Sequence, residues 1–219
     1  MINVAIDGPA GAGKSTISKG AAKELGFIYV DTGALYRTIA LCAVRKGVID
    51  NSEEVVKMLD EIEVRLGFEN GVQCVYLNGE EVSPYIRTPE ISMGASKVSA
   101  IAKVREYLLD LQRNIAKENN VIMDGRDIGT VVLPNAECKI FLTATPECRA
   151  KRRYKELIEK GEDVKYEDVL ADVNERDYND SHREIAPLKP SEESVIADTS
   201  ELTLDESVAL IVKIIKEHM

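Results

Sequence analysis

The segment Gly8-Pro9-Ala10-Gly11-Ala12-Gly13-Lys14-Ser15-Thr16 constrains this chain more than any other. It satisfies G-x-x-x-x-G-K-[ST], follows the apolar run at 2–6, and precedes Ile17, Ala21, Ala22 and Leu25, which recur at helical spacing. A strand, a glycine-rich loop and a helix in that order make a phosphate cradle. Glycines let backbone N–H groups curl around phosphate oxygens, and the helix N-terminus adds positive potential. Lys14 would reach the β and γ phosphates of a nucleoside triphosphate, and Ser15 would hold Mg²⁺.

The rest of the chain continues the βα alternation. Short apolar runs at 2–6, 27–30, 121–123, 139–142 and 195–197 are separated by helical patterns, predicting five strands of a parallel sheet. Gly26 and Gly47 read as helix terminators, Thr145-Pro146-Glu147 as an N-cap with proline behind it, and Thr203 with Glu206 as a capping box. The last helix should run to about His218, with Leu204, Val208, Ile211, Val212 and Ile215 as its core stripe. One segment breaks the alternation: Ile62, Val64, Leu66 and Phe68 recur at period 2 before Asn70-Gly71, and residues 72–77 lead to a second turn at Asn78-Gly79. This antiparallel insert reads equally as a decorative excursion or as a substrate-closing flap, since Arg87, Ser96 and Arg105 follow it.

Composition narrows the partners. The chain of 219 residues can bury one sizeable core, and 28 basic against 38 acidic residues leave a charge of −10, which disfavours nucleic acid and anionic membranes. Neither a transmembrane span nor a targeting pattern at the start is apparent, so a soluble, cytoplasmic protein is expected. Cys42, Cys74, Cys138 and Cys148 lack C-x-x-C spacing and His182 and His218 stand alone, so we expect reduced cysteines and no zinc.

Many classes share this phosphate loop. A GTPase would carry D-x-x-G and N-K-x-D elements, which are absent from the sequence. A nucleic-acid motor would bring basic or aromatic-rich channels, whereas this chain has no tryptophan and three phenylalanines. Two further clusters point to an acceptor site. Asp31-Thr32-Gly33-Ala34-Leu35-Tyr36-Arg37 follows the second strand at the sheet's carboxyl edge, and Asp124-Gly125-Arg126-Asp127 lies just beyond another.

Together G-P-A-G-A-G-K-S, D-T-G-A-L-Y-R, I-R-T, D-G-R-D-I-G-T and E-R-D-x-x-D make the chain resemble the bacterial cytidylate kinases over essentially its whole length. The resemblance implies an α/β P-loop nucleoside monophosphate kinase fold, with a five-stranded parallel sheet flanked by helices, an antiparallel β insert and a helical lid. The implied organisation is a core of residues 1–61 and 101–219, a lid at about 146–186, and a monophosphate-binding insert at 62–100. It implies phosphoryl transfer from Mg-ATP to CMP or dCMP, and a monomer is expected. Carried over by position, Arg37, Arg126 and Arg183 would grip the acceptor phosphate, Ser96, Arg105 and Asp127 would read cytosine, and Arg176 with Asp180 would hold the sugar, beside Thr32 and Tyr36.

These residue types make chemical sense on their own. An ionised Asp127 can accept from the cytosine amino group while Arg105 donates to the ring acceptors; uracil would set O4 against Asp127, acceptor to acceptor. Leaving such buried groups unpaired costs on the order of 1–3 kcal/mol, enough for a roughly tenfold to hundredfold preference. Arg149, Lys151, Arg152, Arg153 and Lys155 open the lid helix, and Arg152 or Arg153 is the candidate for neutralising the transferred group, since a guanidinium binds phosphate through two parallel N–H bonds. The acceptor phosphate is already ionised at neutral pH, so no general base is needed and His182 is incidental. Asp124 reads equally as an orienter of Mg²⁺ water or as an anchor for the acceptor loop.

Overall fold

The computed structural model describes residues 1–69, 71–159 and 161–219. Two compact units divide the chain: Met1 with Ile28–Asn120, and Ile2–Phe27 with Val121–Met219. In chain order the elements are β1 (Asn3–Asp7), α1 (Lys14–Leu25), β2 (Ile28–Asp31), α2 (Thr32–Arg45), α3 (Ser52–Leu59), β3 (Val64–Glu69), β4 (Val72–Leu77), β5 (Glu80–Glu81), α4 (Pro89–Ser99), α5 (Ala102–Glu118), β6 (Val121–Gly125), a π-helical turn (Ile128–Val132), β7 (Cys138–Thr143), α6 (Pro146–Glu159), α7 (Tyr166–His182), β8 (Val195–Asp198) and α8 (Leu204–Glu217).

The apolar runs predicted as strands are β1, β2, β6, β7 and β8, ordered β2-β6-β1-β7-β8 in one sheet, with β1 parallel to both β6 and β7 and β7 parallel to β8. A strand paired on both edges and covered on both faces must be apolar throughout. Val4, Ala5 and Ile6 of β1 are accordingly fully buried. This position fixes the phosphate loop, which leaves β1 at its carboxyl end.

Within the unit of Ile2–Phe27 and Val121–Met219, helix termini follow the local sequence. Gly26 closes α1 in the left-handed region with its N–H on the Ala22 carbonyl. Thr145 accepts from the Cys148 N–H at the start of α6, and Thr203 with Glu206 forms the expected capping box on α8. Ile211, Val212 and Ile215 are buried, whereas Leu204, the first residue of α8, is half exposed and so stands outside the predicted stripe. The helices α6 and α7, where the lid is expected, have their own small core of Ala150, Leu157, Val169 and Val173, with Tyr154 edge-on to Tyr166.

The unit of Ile28–Asn120 has a larger core, in which α2 packs with α3, α4, α5 and the antiparallel strands. Strands β3 and β4 pair antiparallel from Val64↔Leu77 to Glu69↔Val72, and β4 pairs with β5. Asn78 and Gly79 both have positive φ (51° and 84°), the conformation of a tight hairpin turn. The turn expected at Asn70-Gly71 falls partly on Asn70, outside the described residues. All four cysteines are free thiols, and among the described residues no helix is long and apolar enough to cross a membrane.

One close approach tests the packing of α1 on α8. A Cβ added to Gly20 would lie 2.7 Å from Val208 Cγ2. Alanine at a helix interior gains about 1 kcal/mol over glycine, while overpacking costs about 1–3 kcal/mol. In urea denaturation, Gly20→Ala should therefore lower stability despite its better helix propensity. Val208→Ala in the same chain should restore more than additivity allows; simple additivity would mean that the contact is slack.

Candidate active site

Gly8 leaves β1 with φ 150°, and a Cβ there would sit 1.9 Å from the Leu142 carbonyl oxygen, so only glycine admits this path. Gly11 and Gly13 are also at positive φ (74° and 86°), and Gly13 is the N-cap of α1. Lys14 is buried, and its ammonium donates to the carbonyls of Gly8 and Pro9, both at 2.7 Å. Burial holds that ammonium well below the ordinary lysine range; the charge of Arg126 adds to the effect, and Asp124, Asp180 and Asp7 oppose it.

Next to Lys14, the Ser15 hydroxyl donates to Asp124 Oδ2 at 2.9 Å. Asp124 is buried on β6, its Cα paired with Ile6. A hydroxyl and a carboxylate side by side are hard oxygen donors, which suit Mg²⁺. Among the described residues no group of three or more His, Cys, Asp or Glu could hold a metal alone. Such a pair therefore fits a Mg²⁺ ion that takes its remaining ligands from water and nucleotide phosphates.

Four acceptor-site residues predicted from sequence converge in this same unit. Asp180, on α7, accepts Arg126 Nε at 2.8 Å, and Arg183 NH2 stands 3.5 Å from Asp127 Oδ1. Burial alone would raise the Asp180 carboxyl, but the neighbouring charges of Arg126, Arg176 and Arg183 bring it below the ordinary carboxylate value. Arg183 also bonds the Ala186 carbonyl through Nε. Asp7, buried at the end of β1, accepts the Ile128 N–H at 2.7 Å and the Gly129 N–H at 2.8 Å.

The arginines of α6 separate. Arg149 is 2% exposed: its Nε donates to the Ala144 carbonyl, NH1 to Ala10 at 3.0 Å, and both terminal nitrogens to Asp177. This guanidinium fastens α6 to α7 and to the phosphate loop. Arg152 donates to the Thr199 carbonyl at 2.8 Å, and its NH1 would lie 3.8 Å from a Cβ on Gly13. Arg153 turns instead toward Glu156 on its own helix.

In the unit of Ile28–Asn120, Asp31 caps α2 by accepting the Ala34 N–H, and its other oxygen takes Arg37 at 2.7 Å and Arg87 at 3.2 Å. The Gln73 amide of β4 accepts the Asp31 N–H at 2.7 Å and donates to the Asp31 carbonyl at 3.1 Å, which ties the insert to the start of α2. Arg105 is buried, donates to the Ser99 carbonyl, and stands over the Tyr36 ring at 5.6 Å. Thr32 is buried at the first turn of α2, and Ser96 lies on α4. Sequence reasoning quoted Asp31, Arg87 and Asp177 within their motifs but assigned them no role, and it missed Gln73 and Asp7. Those two act through contacts distant in sequence, which no local pattern signals.

A family model described as "Cytidylate kinase" matches residues 4–217. A cytidylate kinase of Caldicellulosiruptor saccharolyticus is 52% identical over 206 residues, covering 94% of this chain and 91% of that protein. One from Lactobacillus johnsonii is 49% identical over 218 residues, covering 99% and 95%. Among solved structures, a shikimate kinase from Bacteroides thetaiotaomicron superposes with a TM-score of 0.51 at 13% identity over 98% of both chains, a likeness of fold.

The buried Asp7 gives the pH behaviour a sign. Burial pushes its carboxyl up to about 6 from 3.8, against the pull of the two N–H groups, with the charge of Asp127 raising it and Lys14 lowering it. The folded protein thus binds this proton more tightly than the unfolded chain, so the stabilisation is full below pH 3.8 and lost as pH rises through about 6. Position 7 cannot titrate in Asp7→Asn. The unfolding free energy of the wild type relative to that variant should fall by about 1–2 kcal/mol between pH 5 and 7.5, measured by urea denaturation. A difference constant across that range would mean that Asp7 ionises as an ordinary surface carboxylate.

Proposed function

The chain belongs to the cytidylate kinase family, and from that premise we propose that it transfers the γ-phosphoryl group of Mg-ATP to CMP or dCMP, giving ADP and CDP or dCDP. The observation that most supports this reading is the grouping of Lys14, Arg126, Asp127, Asp180 and Arg183 into one set of interacting charges beside the phosphate loop. A reaction between two phosphorylated molecules needs such a set, because both reactants are anions that repel each other.

The donor triphosphate lies along residues 8–16, with Lys14 exchanging the Gly8 and Pro9 carbonyls for phosphate oxygens. Ser15 and Asp124 would hold Mg²⁺, which neutralises charge on the donor phosphates when bound. Arg37, Arg126 and Arg183 grip the acceptor phosphate, Arg176 and Asp180 the sugar, and Ser96, Arg105 and Asp127 the base, with Thr32 and Tyr36 alongside. An acceptor oxygen attacks the γ-phosphorus in line with the departing ADP oxygen. Lys14 and the guanidinium groups stabilise the charge spread over the transferring group. No side chain need remove a proton, since the nucleophile is already ionised.

Residues 62–100 serve as the monophosphate-binding insert and about 146–186 as the lid, whose closure excludes water that would otherwise hydrolyse ATP. Of the lid arginines, Arg152 is the one beside Gly13, so it is assigned to the transferred phosphate. Arg149 holds the helices in place for it.

Two measurements follow. ADP release with CMP, dCMP, UMP, AMP and shikimate should be stimulated strongly by the cytidine nucleotides, and Asp127→Asn should reduce the CMP over UMP preference by roughly tenfold. ATP binding without stimulation by any acceptor would instead indicate a nucleotide-binding regulator. Arg152→Ala should lower kcat by about a hundredfold or more, the scale of losing one charge-stabilising donor, and Arg153→Ala by about threefold or less. Equal losses for the two variants would remove the assignment to Arg152.

A further inference from the structure

Asp7 lies outside both substrate sites proposed above, yet it joins the loops that serve them. Its backbone is fixed: β1 pairs on one side with β6, Asp7 opposite Gly125, and on the other with β7, Asp7 opposite Phe141. Its side chain reaches further into the acceptor loop. One carboxylate oxygen takes the Ile128 N–H at 2.7 Å and the other the Gly129 N–H at 2.8 Å. These amides directly follow Asp127, whose own carbonyl accepts the N–H groups of Val131 and Val132 at the head of the π-helical turn.

A two-oxygen grip on consecutive amides fixes both the position and the rotation of the peptide planes that carry Asp127. Charge-assisted bonds of this kind are the strong ones, and a buried pair of N–H groups has no water to fall back on. We infer that Asp7 is a positioning residue for acceptor recognition: by tethering Ile128 and Gly129 it sets where the Asp127 carboxylate meets the base. The inference rests on the reading that Asp127 reads cytosine. Because the backbone of residue 7 is held by strands on both sides, loss of the side chain leaves the path into Gly8, and with it the donor cradle, in place.

The experiment uses the full-length enzyme with Asp7→Ala, which removes both acceptors, and Asp7→Asn, which keeps one oxygen but turns an amide N–H toward a backbone donor. Steady-state kinetics with CMP and UMP, and amide hydrogen exchange at Ile128 and Gly129, are measured for each. In Asp7→Ala the KM for CMP should rise about tenfold or more and the CMP over UMP ratio of kcat/KM should fall about fivefold or more, while the KM for ATP stays within about threefold. Asp7→Asn should lie between, and both amides should exchange faster in both variants. If Asp7→Ala does not fold, the same split in Asp7→Asn decides. An unchanged CMP over UMP ratio overturns the inference. So does a KM for ATP that rises equally in both variants, because the carboxylate would then act through its charge on Lys14. A wild-type enzyme that does not phosphorylate CMP would sink the functional reading instead, and the exchange rates would still report the tether.

Discussion

Carboxylates are what let guanidinium groups gather in this chain. With a net charge of −10, the protein cannot attract nucleotides by its overall field, so local cations must do it. Arg37 and Arg87 share Asp31, Arg126 rests on Asp180, Arg183 faces Asp127, and Arg149 is clamped by Asp177. Taking an isolated charge out of water costs several kcal/mol, and a paired, hydrogen-bonded one far less. The pairs hold each fork in a fixed orientation; for Arg37, Arg126 and Arg183, the proposed grip on the acceptor phosphate, little side-chain freedom would then be lost on binding.

The same logic runs through the donor loop, with carbonyls in place of carboxylates. Buried Lys14 donates to the Gly8 and Pro9 carbonyls, which a phosphate oxygen can replace one for one. That arrangement needs Gly8 to pass against the Leu142 carbonyl, which ties the cradle to β7 as well as to β1. Arg149 adds a third tie, from Ala10 to α6 and α7. The phosphate loop is therefore braced by both the sheet and this helix pair, and the side chains that brace it differ from those that would touch substrate.

Sequence reading worked where the signal was local. The glycine-rich loop, the strand runs, the cap at Thr145, the Thr203 and Glu206 box and the Asn78-Gly79 turn are each written within a few residues. Motif resemblance named Arg126, Asp127, Asp180 and Arg183 for one acceptor site, and in the structure Arg126 pairs with Asp180 and Arg183 stands against Asp127, contacts that periodicity alone does not signal. What escaped were contacts distant in sequence. The amide of Gln73 pairs with the backbone of Asp31, the carboxylate of Asp7 holds amides more than 120 positions away, and Arg149 turns inward although its neighbours read as one basic face. Leu204 fits the helical period but sits at the end of α8, where period alone does not say whether a core lies beneath. The π-helical turn at Ile128–Val132 likewise has no pattern of its own; its geometry goes with the two amides that Asp7 holds.

In the proposed function, donor and acceptor phosphates are bound end to end by cations the protein has already paired. The most direct measurement is the calorimetric affinity of a single molecule that joins adenosine to cytidine through five phosphates. Binding should be at least ~100-fold tighter than for ATP or CMP alone, since one ligand then fills both subsites, with both Lys14→Ala and Arg126→Ala weakening it. An affinity no greater than that of ATP would contradict it, because the two phosphate sites would then not adjoin.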